Sequence, residues 1–504
     1  MQETLQNLLL GFSVALTPSV FIYAVLGCFV GTVVGVLPGI GPLAGVSILL
    51  PLTFGLDATK SVILLAGIYY GAMYGGSTTS ILMRIPGETA SVVTCLDGYA
   101  MAQKGRAGPA LAIAAIGSFI AGTFSVVALM FVAPPLARFA LRFGPPEYVA
   151  LIALAIITLS YMSGGSMLKS TAMALVGFFL GMVGIDRLTG YSRFDFGLAE
   201  LGDGIGVVPV GIGLFGLAEI LSNAGTKAAL QVIRPRLKDL LPNRDEWRAS
   251  LGPIGRGTVL GFFIGLMPGP SHVVSSFVSY AVERRLSKHP ERFGQGAIEG
   301  VAGPESANNS ATSGHFISML ALGIPSGGIT AIILAALMIH GVSPGPLFIR
   351  EHPDIFWGFI ASMYVGNLVL LILNLPLIGL FVNFLRIPYA VLYPIFILFC
   401  FLGVYSVNGS VLDLWIMTGM GLFGYLLRKF DFEPVPIVIG MVLAPILELS
   451  LRQSLIMSRG SYLIFVQRPI ALALLVGSMI LLVLSLMPLI RRGTSWIRAI
   501  TSSI

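Results

Sequence analysis

The sequence contains few charged residues. Asp, Glu, Lys and Arg make up 11% of its 504 residues, and there are only 5 histidines. Soluble domains carry about 25% charged residues, so this composition excludes an ordinary soluble protein. Residues of hydrophobic type make up 56% of the chain. They form repeated apolar stretches near the ~20 residues that cross a bilayer core, which predicts an all-α polytopic membrane protein with about 10–12 transmembrane helices.

Cysteine is scarce, and the motifs of several enzyme classes are absent. The three cysteines, Cys28, Cys95 and Cys400, are far apart and indicate neither a disulfide framework nor a metal site. The sequence has no GxxxxGK[ST] loop and no HExxH pair. We therefore predict that the chain is not an enzyme and has no cofactor, apart from a coupling Na⁺ or H⁺.

The formal net charge of +7 fits a membrane protein better than a nucleic-acid-binding one. Lys and Arg concentrate around residues 231–253, the long polar segment of the chain. Basic loops are retained on the cytoplasmic side of a membrane, so this segment is predicted to be a cytoplasmic linker.

Glycines recur at four-residue intervals and lead into a Pro-Gly pair twice. The copies are Gly27, Gly31 and Gly35 before Pro38-Gly39, and Gly257, Gly261 and Gly265 before Pro268-Gly269. Three further markers recur in the same order: Ile85-Pro86 with Ile324-Pro325, Arg193–Phe196 with Lys429–Phe432, and Val208-Pro209 with Val435-Pro436. The pattern predicts a first transmembrane repeat over 1–230 and a second over 231–455. An extra C-terminal transmembrane helix with a basic tail follows over 456–504.

The charges of equivalent loops favour an inverted arrangement of the two repeats. The loop near 54–61 contains Lys60 as its single basic residue, whereas its counterpart near 284–293 contains four, Arg284, Arg285, Lys288 and Arg292. Because basic loops prefer the cytoplasm, the two loops are expected on opposite sides of the membrane.

Both Pro-Gly pairs are predicted to break a helix. Proline removes a backbone donor and glycine tolerates positive φ. The apolar segment 41–54 would form about 21 Å of helix, too short for a core of about 30 Å, which indicates a re-entrant hairpin or half-helix. Broken helices form the substrate sites of repeat-built transporters. The substrate- or ion-binding candidates here are Pro38, Gly39, Gly41, Pro268, Gly269 and Ser271; the alternative is a kinked helix with close packing.

Two polar stretches within apolar surroundings supply the remaining binding candidates. They are Gly75, Gly76, Ser77, Thr78 and Thr79 in the first half, and Asn308, Asn309 and Ser310 in the second. Helix ends and small polar groups suit a carboxylate, although the same residues could instead hold helices together. Glu305 and Arg84 are ionisable groups at predicted membrane depth and are coupling candidates. Arg84 could alternatively extend to the interface.

Long ordered motifs resemble the large permease subunit of tripartite tricarboxylate transporters, the TctA family. They are GVLPGIGPLAGVSILLPLTFGLD from Gly35, LLAGIYYGAMYGGSTTSILMRIPGE from Leu64, GLMPGP from Gly265, GVAGPESANN from Gly300 and LALGIPSGG from Leu320. The resemblance covers roughly residues 15–450. The sequence departs from the family pattern at Ser271, His272 and Val273, and again at Ser326.

The resemblance implies a multi-pass protein of the bacterial inner membrane that imports di- and tricarboxylates. Its implied partners are a small membrane subunit of TctB type and a periplasmic solute-binding protein of TctC type, with an H⁺ or Na⁺ gradient as the driving force. The alternative is an ion-coupled anion transporter or channel that works without a binding protein.

Overall fold

The chain folds into two compact units. The computed structural model describes residues 2–37, 39–162, 166–186, 188–223, 233, 240–385 and 389–484. Unit 1 comprises Met1–Ala140 and Ile205–Phe430, and unit 2 comprises Leu141–Gly204 and Asp431–Ile504. The predicted repeat boundary near residue 230 stays a prediction.

Unit 1 is helical throughout the part that the structure describes. Its helices are α1 (Gln2–Ala15), α2 (Pro18–Val36), α3 (Gly41–Leu49), α4 (Ala58–Met83), α5 (Thr94–Gln103), α6 (Ala107–Ala140), α9 (Val207–Gly211), α10 (Ala218–Asn223), α11 (Arg244–Gly265), α12 (Ser271–Leu286), α13 (Glu299–Leu322), α14 (Gly328–Ile339), α15 (Phe348–Glu351), α16 (Pro353–Asn374), α17 (Ile378–Phe384), α18 (Tyr389–Asn408) and α19 (Val411–Lys429). A π-helical turn, Ile212–Leu217, joins α9 to α10, and 3-10 turns cover Leu50–Thr53, Thr89–Val92 and Pro290–Arg292.

The helices of unit 2 come from two stretches of the chain, one before and one after the second sequence segment of unit 1. They are α7 (Pro145–Met162), α8 (Met167–Gly181), α20 (Val435–Met457), α21 (Ile464–Gln467) and α22 (Pro469–Leu484). A 3-10 turn covers Ala199–Leu201, and two-residue strands β1 (Gly184–Ile185) and β2 (Ser192–Arg193) pair antiparallel. Arg193 of β2 reaches Glu448 of α20 at 2.7 Å, and Arg468 reaches Glu147 of α7 at 2.9 Å, so ion pairs connect non-helical segments of this unit to its helices. Arg452 also pairs with Glu448, within α20, at 2.7 Å.

Seven of the described helices are long and apolar enough to cross a membrane, namely Pro18–Val36, Ala107–Ala140, Pro145–Met162, Pro353–Asn374, Val391–Asn408, Val411–Lys429 and Val435–Met457. Six shorter apolar helices accompany them. Large apolar side chains are exposed on these elements, such as Trp415 (71%) and Leu175 (62%), as expected of a surface solvated by lipid. The prediction of an all-α polytopic membrane protein is confirmed.

Local chemistry sets several helix ends in unit 1. Asp57 precedes α4 and its carboxylate accepts from the Lys60 N–H at 2.9 Å, an ordinary N-cap. Asn243 forms a capping box with Glu246, so α11 begins at Arg244. Residues 244–253, the end of the predicted linker, are therefore helical. Residues 231, 232 and 234–239 lie outside the described part.

The first glycine ladder lets α2 lie directly on α4. A Cβ at Gly31 would lie 2.3 Å from the Ile68 carbonyl oxygen, and one at Gly35 would lie 2.2 Å from that of Ala72. Only glycine permits such an approach of two backbones. The contacts advance in the same direction along both helices, so α2 and α4 are parallel. The chain between them must turn back, and α3 does so, with Gly45 of α3 against Val34 of α2.

The second ladder packs α11 on α13 in the same manner. A Cβ at Gly257 would lie 2.3 Å from the Gly303 carbonyl oxygen, and one at Gly261 would lie 2.1 Å from that of Ala307. These helices are also parallel, and α12 turns back along α13. The Ser275 hydroxyl donates to the Ala307 carbonyl at 3.2 Å.

Helices α4 and α13 lie against each other in opposite directions. Tyr69 contacts His315 near one end of the shared segment, and Ser77 contacts Glu305 near the other. Each helix therefore presents its polar stretch to the other in the interior of unit 1.

Candidate functional site

The first Pro-Gly break joins α2 to α3. Pro38 lies outside the described residues. Gly39 and Gly41 have φ of +82° and +64°, the left-handed region that favours glycine. The Gly39 carbonyl accepts from Asn223 Nδ2 at 3.2 Å, and the Thr79 hydroxyl donates to the Val36 carbonyl at 2.6 Å. Thr79 thus satisfies a carbonyl at the end of α2, where the helix leaves it without a partner.

The second break, at Pro268-Gly269, joins α11 to α12. Gly269 has φ of +129°, and its N–H donates to the Ser326 carbonyl at 2.6 Å. Ser271 is fully buried, and its hydroxyl is hydrogen-bonded to His315 Nε2. This Pro-Gly break therefore contacts the Ile-Pro segment of its own half.

In the first half, too, the Ile-Pro segment packs beside the Pro-Gly break. A Cβ at Gly87, in the Ile-Pro-Gly segment, would lie 2.3 Å from the Gly35 carbonyl oxygen and 2.5 Å from Gly76 Cα. A Cβ at Gly75 would likewise lie 2.4 Å from the Thr32 carbonyl oxygen. Gly75 and Gly76 thus allow close packing around the break, which brings the segment 85–88 against α4.

The polar residues of α4 and α13 meet around Glu305. This side chain is 1% exposed. Ser77 donates to its Oε2 at 2.5 Å, and Thr94 of α5 donates to its Oε1. Glu305 therefore connects three helices through hydrogen bonds to a carboxylate, which are stronger than those between neutral groups.

The adjacent asparagines face different elements. Asn308 Nδ2 donates to Glu88 Oε1 at 3.1 Å, whereas Asn309 Nδ2 donates to Ser118 Oγ of α6 at 2.7 Å. The Ser310 hydroxyl donates to the Thr258 carbonyl at 2.6 Å. Asn308 Oδ1 is buried without a hydrogen-bond partner. Buried acceptors are nearly always satisfied, so an unpaired one marks a position where another donor could bind.

Two small cavities adjoin this cluster on the side of α6 and α16. One has a volume of about 20 Å³ and is lined by Tyr70, Tyr74, Gly122, Val126, Asn309, Thr312, Ser313, Met363, Asn367 and Leu370. The other has about 10 Å³ and is lined by Tyr74, Ser77, Thr78, Leu111, Ala114, Ala115, Ser118 and Asn374. Such volumes fit about one water each and are too small for a carboxylate such as citrate. Neither of these two cavities could therefore hold such a substrate in this conformation.

Arg84 lies apart from this buried cluster. It ends α4 with a left-handed φ of 60° and is exposed, and its Cζ lies 5.9 Å from the centre of the Tyr99 ring. This distance is within the range of a cation–π contact.

Several residues of the cluster carry no distinctive signal in the sequence. Glu88 ends the motif that begins at Leu64, and Thr94, Ser118 and Asn367 belong to none of the motifs. Asn367 accepts from the Tyr74 hydroxyl at 2.6 Å and donates to the Phe119 carbonyl at 2.8 Å. The apolar segment 355–385 contains three asparagines, Asn367, Asn374 and Asn383, so the sequence alone does not single out Asn367. Among the described residues, no group of three His, Cys, Asp or Glu side chains is placed to hold a metal ion.

Comparison with known proteins identifies relatives along nearly the whole chain. The profile of the tripartite tricarboxylate transporter TctA family matches residues 21–439. An uncharacterized 52.8 kDa protein in the TAR-I ttuC' 3' region of Agrobacterium vitis is 49% identical over 491 residues, which cover 97% of this chain and 98% of the relative. An uncharacterized protein in the TAR-II ttuC' 3' region of the same organism is 49% identical over 231 residues, 46% of this chain and 96% of the relative. No solved structure matches the chain.

The family assignment agrees with the helical, apolar architecture. The profile covers both glycine ladders, both Pro-Gly breaks and the whole buried cluster. A transporter family is also consistent with the prediction that the chain is not an enzyme. The chain belongs to the TctA family and is a multi-pass membrane component of a tripartite tricarboxylate transporter.

Proposed function

We propose that the chain is the large permease subunit that carries di- or tricarboxylates across the bacterial inner membrane. It would work with a small membrane subunit of TctB type and a periplasmic solute-binding protein of TctC type, and an H⁺ or Na⁺ gradient would drive uptake. The observation that carries this proposal is the buried polar cluster between the antiparallel helices α4 and α13. Polar groups at membrane depth are costly and characteristically line transport pathways.

The helix directions support a duplicated, inverted core. Parallel pairs α2/α4 and α11/α13 each enclose a break and a returning helix, and their ladders contact carbonyls in matching order, at Ile68 and Ala72 in the first half and at Ala307 and Ala311 in the second. Since α4 and α13 are antiparallel, the two hairpins would open toward opposite faces of the membrane. Inverted repeats with broken helices are a common basis of alternating access.

Within this core, the substrate would bind between the polar stretches of α4 and α13. Ser77, Thr78, Asn309 and Ser310 would offer hydroxyl and amide donors once the core opens and the present bonds to Glu305, Ser118 and Thr258 are exchanged for bonds to the substrate. The N-terminus of α12 at Ser271 would add backbone N–H groups. The cavity beside Asn309 holds about 20 Å³, so admission of a carboxylate requires the hairpin-bearing core to move. Glu305 and Arg84 remain the candidates for ion coupling and charge pairing among the residues predicted from sequence.

Substitution of Asn309 tests this site. Asn309→Ala removes the hydrogen bond to Ser118 and the amide that faces the cavity. Uptake of labelled citrate or succinate by cells carrying all three components should be lost while the amount of permease in the membrane is unchanged. Asn383→Ala, at an exposed position of α17, is the matched control and should transport normally. Wild-type uptake by the Asn309→Ala variant would refute the assignment of this site.

The binding protein distinguishes the proposal from its alternative. Proteoliposomes that contain the membrane subunits should accumulate carboxylate only when the solute-binding protein is present in the lumen or bath that represents the periplasm. Equal transport without it would instead favour an anion transporter or channel that acts alone.

A further inference from the structure

A second carboxyl group, that of Glu88, lies next to the Glu305 cluster. Glu88 is 4% exposed. Its Oε2 accepts from the Ala90 N–H at 2.6 Å, and its Oε1 accepts from Asn308 Nδ2 at 3.1 Å. Glu305 precedes Asn308 by three positions, so both side chains lie on the same side of α13. The two carboxyl groups thus flank one asparagine.

Within the described residues, neither carboxyl group forms an ion pair. The ionisable groups of neighbouring helices that these carboxyl groups influence are uncharged in their ordinary state at neutral pH: Tyr69 and Tyr74 of α4, and Cys95 of α5. Helix α12, which packs beside the turn after Glu88, carries Glu283, paired with Arg256, and the Arg84 side chain is exposed over Tyr99. Two buried carboxylates so near each other repel, and one proton removes that repulsion.

The surroundings of these oxygens suit a proton better than a metal cation. A metal cation needs several oxygen lone pairs directed at one point. Here the four carboxylate oxygens instead face donors: two hydroxyls, one backbone N–H and one amide NH₂. Asn308 Oδ1, in contrast, is a buried acceptor without a donor. A primary amide that turns by 180° can offer its NH₂ to a carboxylate or its oxygen to a carboxylic acid.

We propose that Glu88 binds the proton that is coupled to carboxylate uptake, with Asn308 as its adjustable partner and Glu305 as the neighbouring negative charge. This inference rests on the proposed function. The proton comes from the aqueous phase on one side of the membrane and binds to Glu88 Oε1. The resulting O–H group donates a hydrogen bond to the oxygen of the turned Asn308 amide. When the site opens to the other side, the O–H bond breaks and the proton enters the aqueous phase there.

The test uses the reconstituted three-component transporter with the membrane potential clamped at zero. With one proton per substrate, a pH difference of about one unit should drive about tenfold accumulation by the wild type, whereas a Na⁺ gradient at equal pH should drive none. Glu88→Gln should reduce the accumulation ratio to about one, while exchange of internal for external carboxylate continues. Glu88→Asp should restore accumulation in part, because it retains a titratable group.

A second variant covers the case in which Glu88→Gln does not assemble. Asn308→Leu leaves the carboxyl group but removes a charge-assisted hydrogen bond from ionised Glu88 and a weaker neutral one from its protonated form. The pH at half-maximal exchange should therefore rise, by up to about one unit. Accumulation driven by the pH gradient in Glu88→Gln, Na⁺-driven accumulation in the wild type, or an unmoved pH profile in Asn308→Leu would each overturn the assignment of Glu88. Absence of both uptake and exchange in the wild type would instead refute the proposed function.

Discussion

Replacing a single glycine of α11 by alanine should separate two packed helices. In Gly261→Ala the new Cβ would lie 2.1 Å from the Ala307 carbonyl oxygen, whereas ordinary contact begins at 3.4 Å. The obstacle is backbone, so no side-chain rotation relieves the clash, and α11 must move away from α13 by about 1 Å. Overpacking of this kind costs about 1–3 kcal/mol, and a rigid backbone partner favours the upper end. We therefore expect unfolding free energy to fall by about 3 kcal/mol relative to the control variant.

The control lies on the same helix. Gly255 is exposed and has no atom within 4 Å of an added Cβ. Gly255→Ala gains the same intrinsic helix preference, about 1 kcal/mol, without the clash, so the difference between the variants isolates the packing contribution. The measurement is SDS-induced unfolding of the two purified proteins under identical conditions, together with carboxylate uptake. Equal stability of Gly261→Ala and Gly255→Ala would refute the close helix contact.

Three further outcomes are expected. Asp97→Asn should loosen the loop before α13, because the Asp97 carboxylate accepts from the N–H groups of residues 296 and 297 at 2.7 and 2.8 Å. Limited proteolysis should then cut this loop faster, and an unchanged cleavage rate would contradict the role of Asp97. Arg468→Gln should lower the denaturation temperature of the purified protein more than Arg459→Gln, because it leaves the buried Glu147 carboxylate without its charge partner; equal temperatures would contradict this. The backbone N–H of Leu188, followed by Arg452, holds the pKa of Asp186 below its usual value. This contribution to stability is complete above about pH 4 and is lost on further acidification, so Asp186→Asn should flatten the acid limb of a stability profile.

Much of the fold was predictable because its signals are local. Composition indicates a membrane protein, and four-residue glycine spacing indicates one helix face that approaches another backbone. The interpretation of close packing was offered only as an alternative, yet Gly31 and Gly261 do pack in that way, next to the breaks that the Pro-Gly pairs predicted. Close packing and a break thus coexist on the same helices.

The membership of the candidate site was less predictable, because it depends on which helices touch. Ser77 and Glu305 were selected from sequence as polar groups in apolar segments, and the structure joins them across 228 positions. Thr94 lies in an ordinary polar stretch of α5, so nothing local distinguishes it from other threonines. Two adjacent amides on one helix point in different directions, and accordingly Asn308 donates to Glu88 whereas Asn309 donates to Ser118. Whether these residues bind substrate stays a prediction.

Arg84 ends α4 in the left-handed backbone conformation, so glycine can take its place at the helix end and remove only its charged side chain. A residue with a side chain pays about 1 kcal/mol more than glycine to adopt this left-handed conformation. Helix α13 ends in the same conformation, but there the residue is Gly323, with φ of 72°. Arg84→Gly would therefore delete the cation while relaxing the helix terminus. In this variant the relief of the strained helix terminus offsets the loss of the exposed contact with Tyr99, so a defect in transport would point to the missing guanidinium.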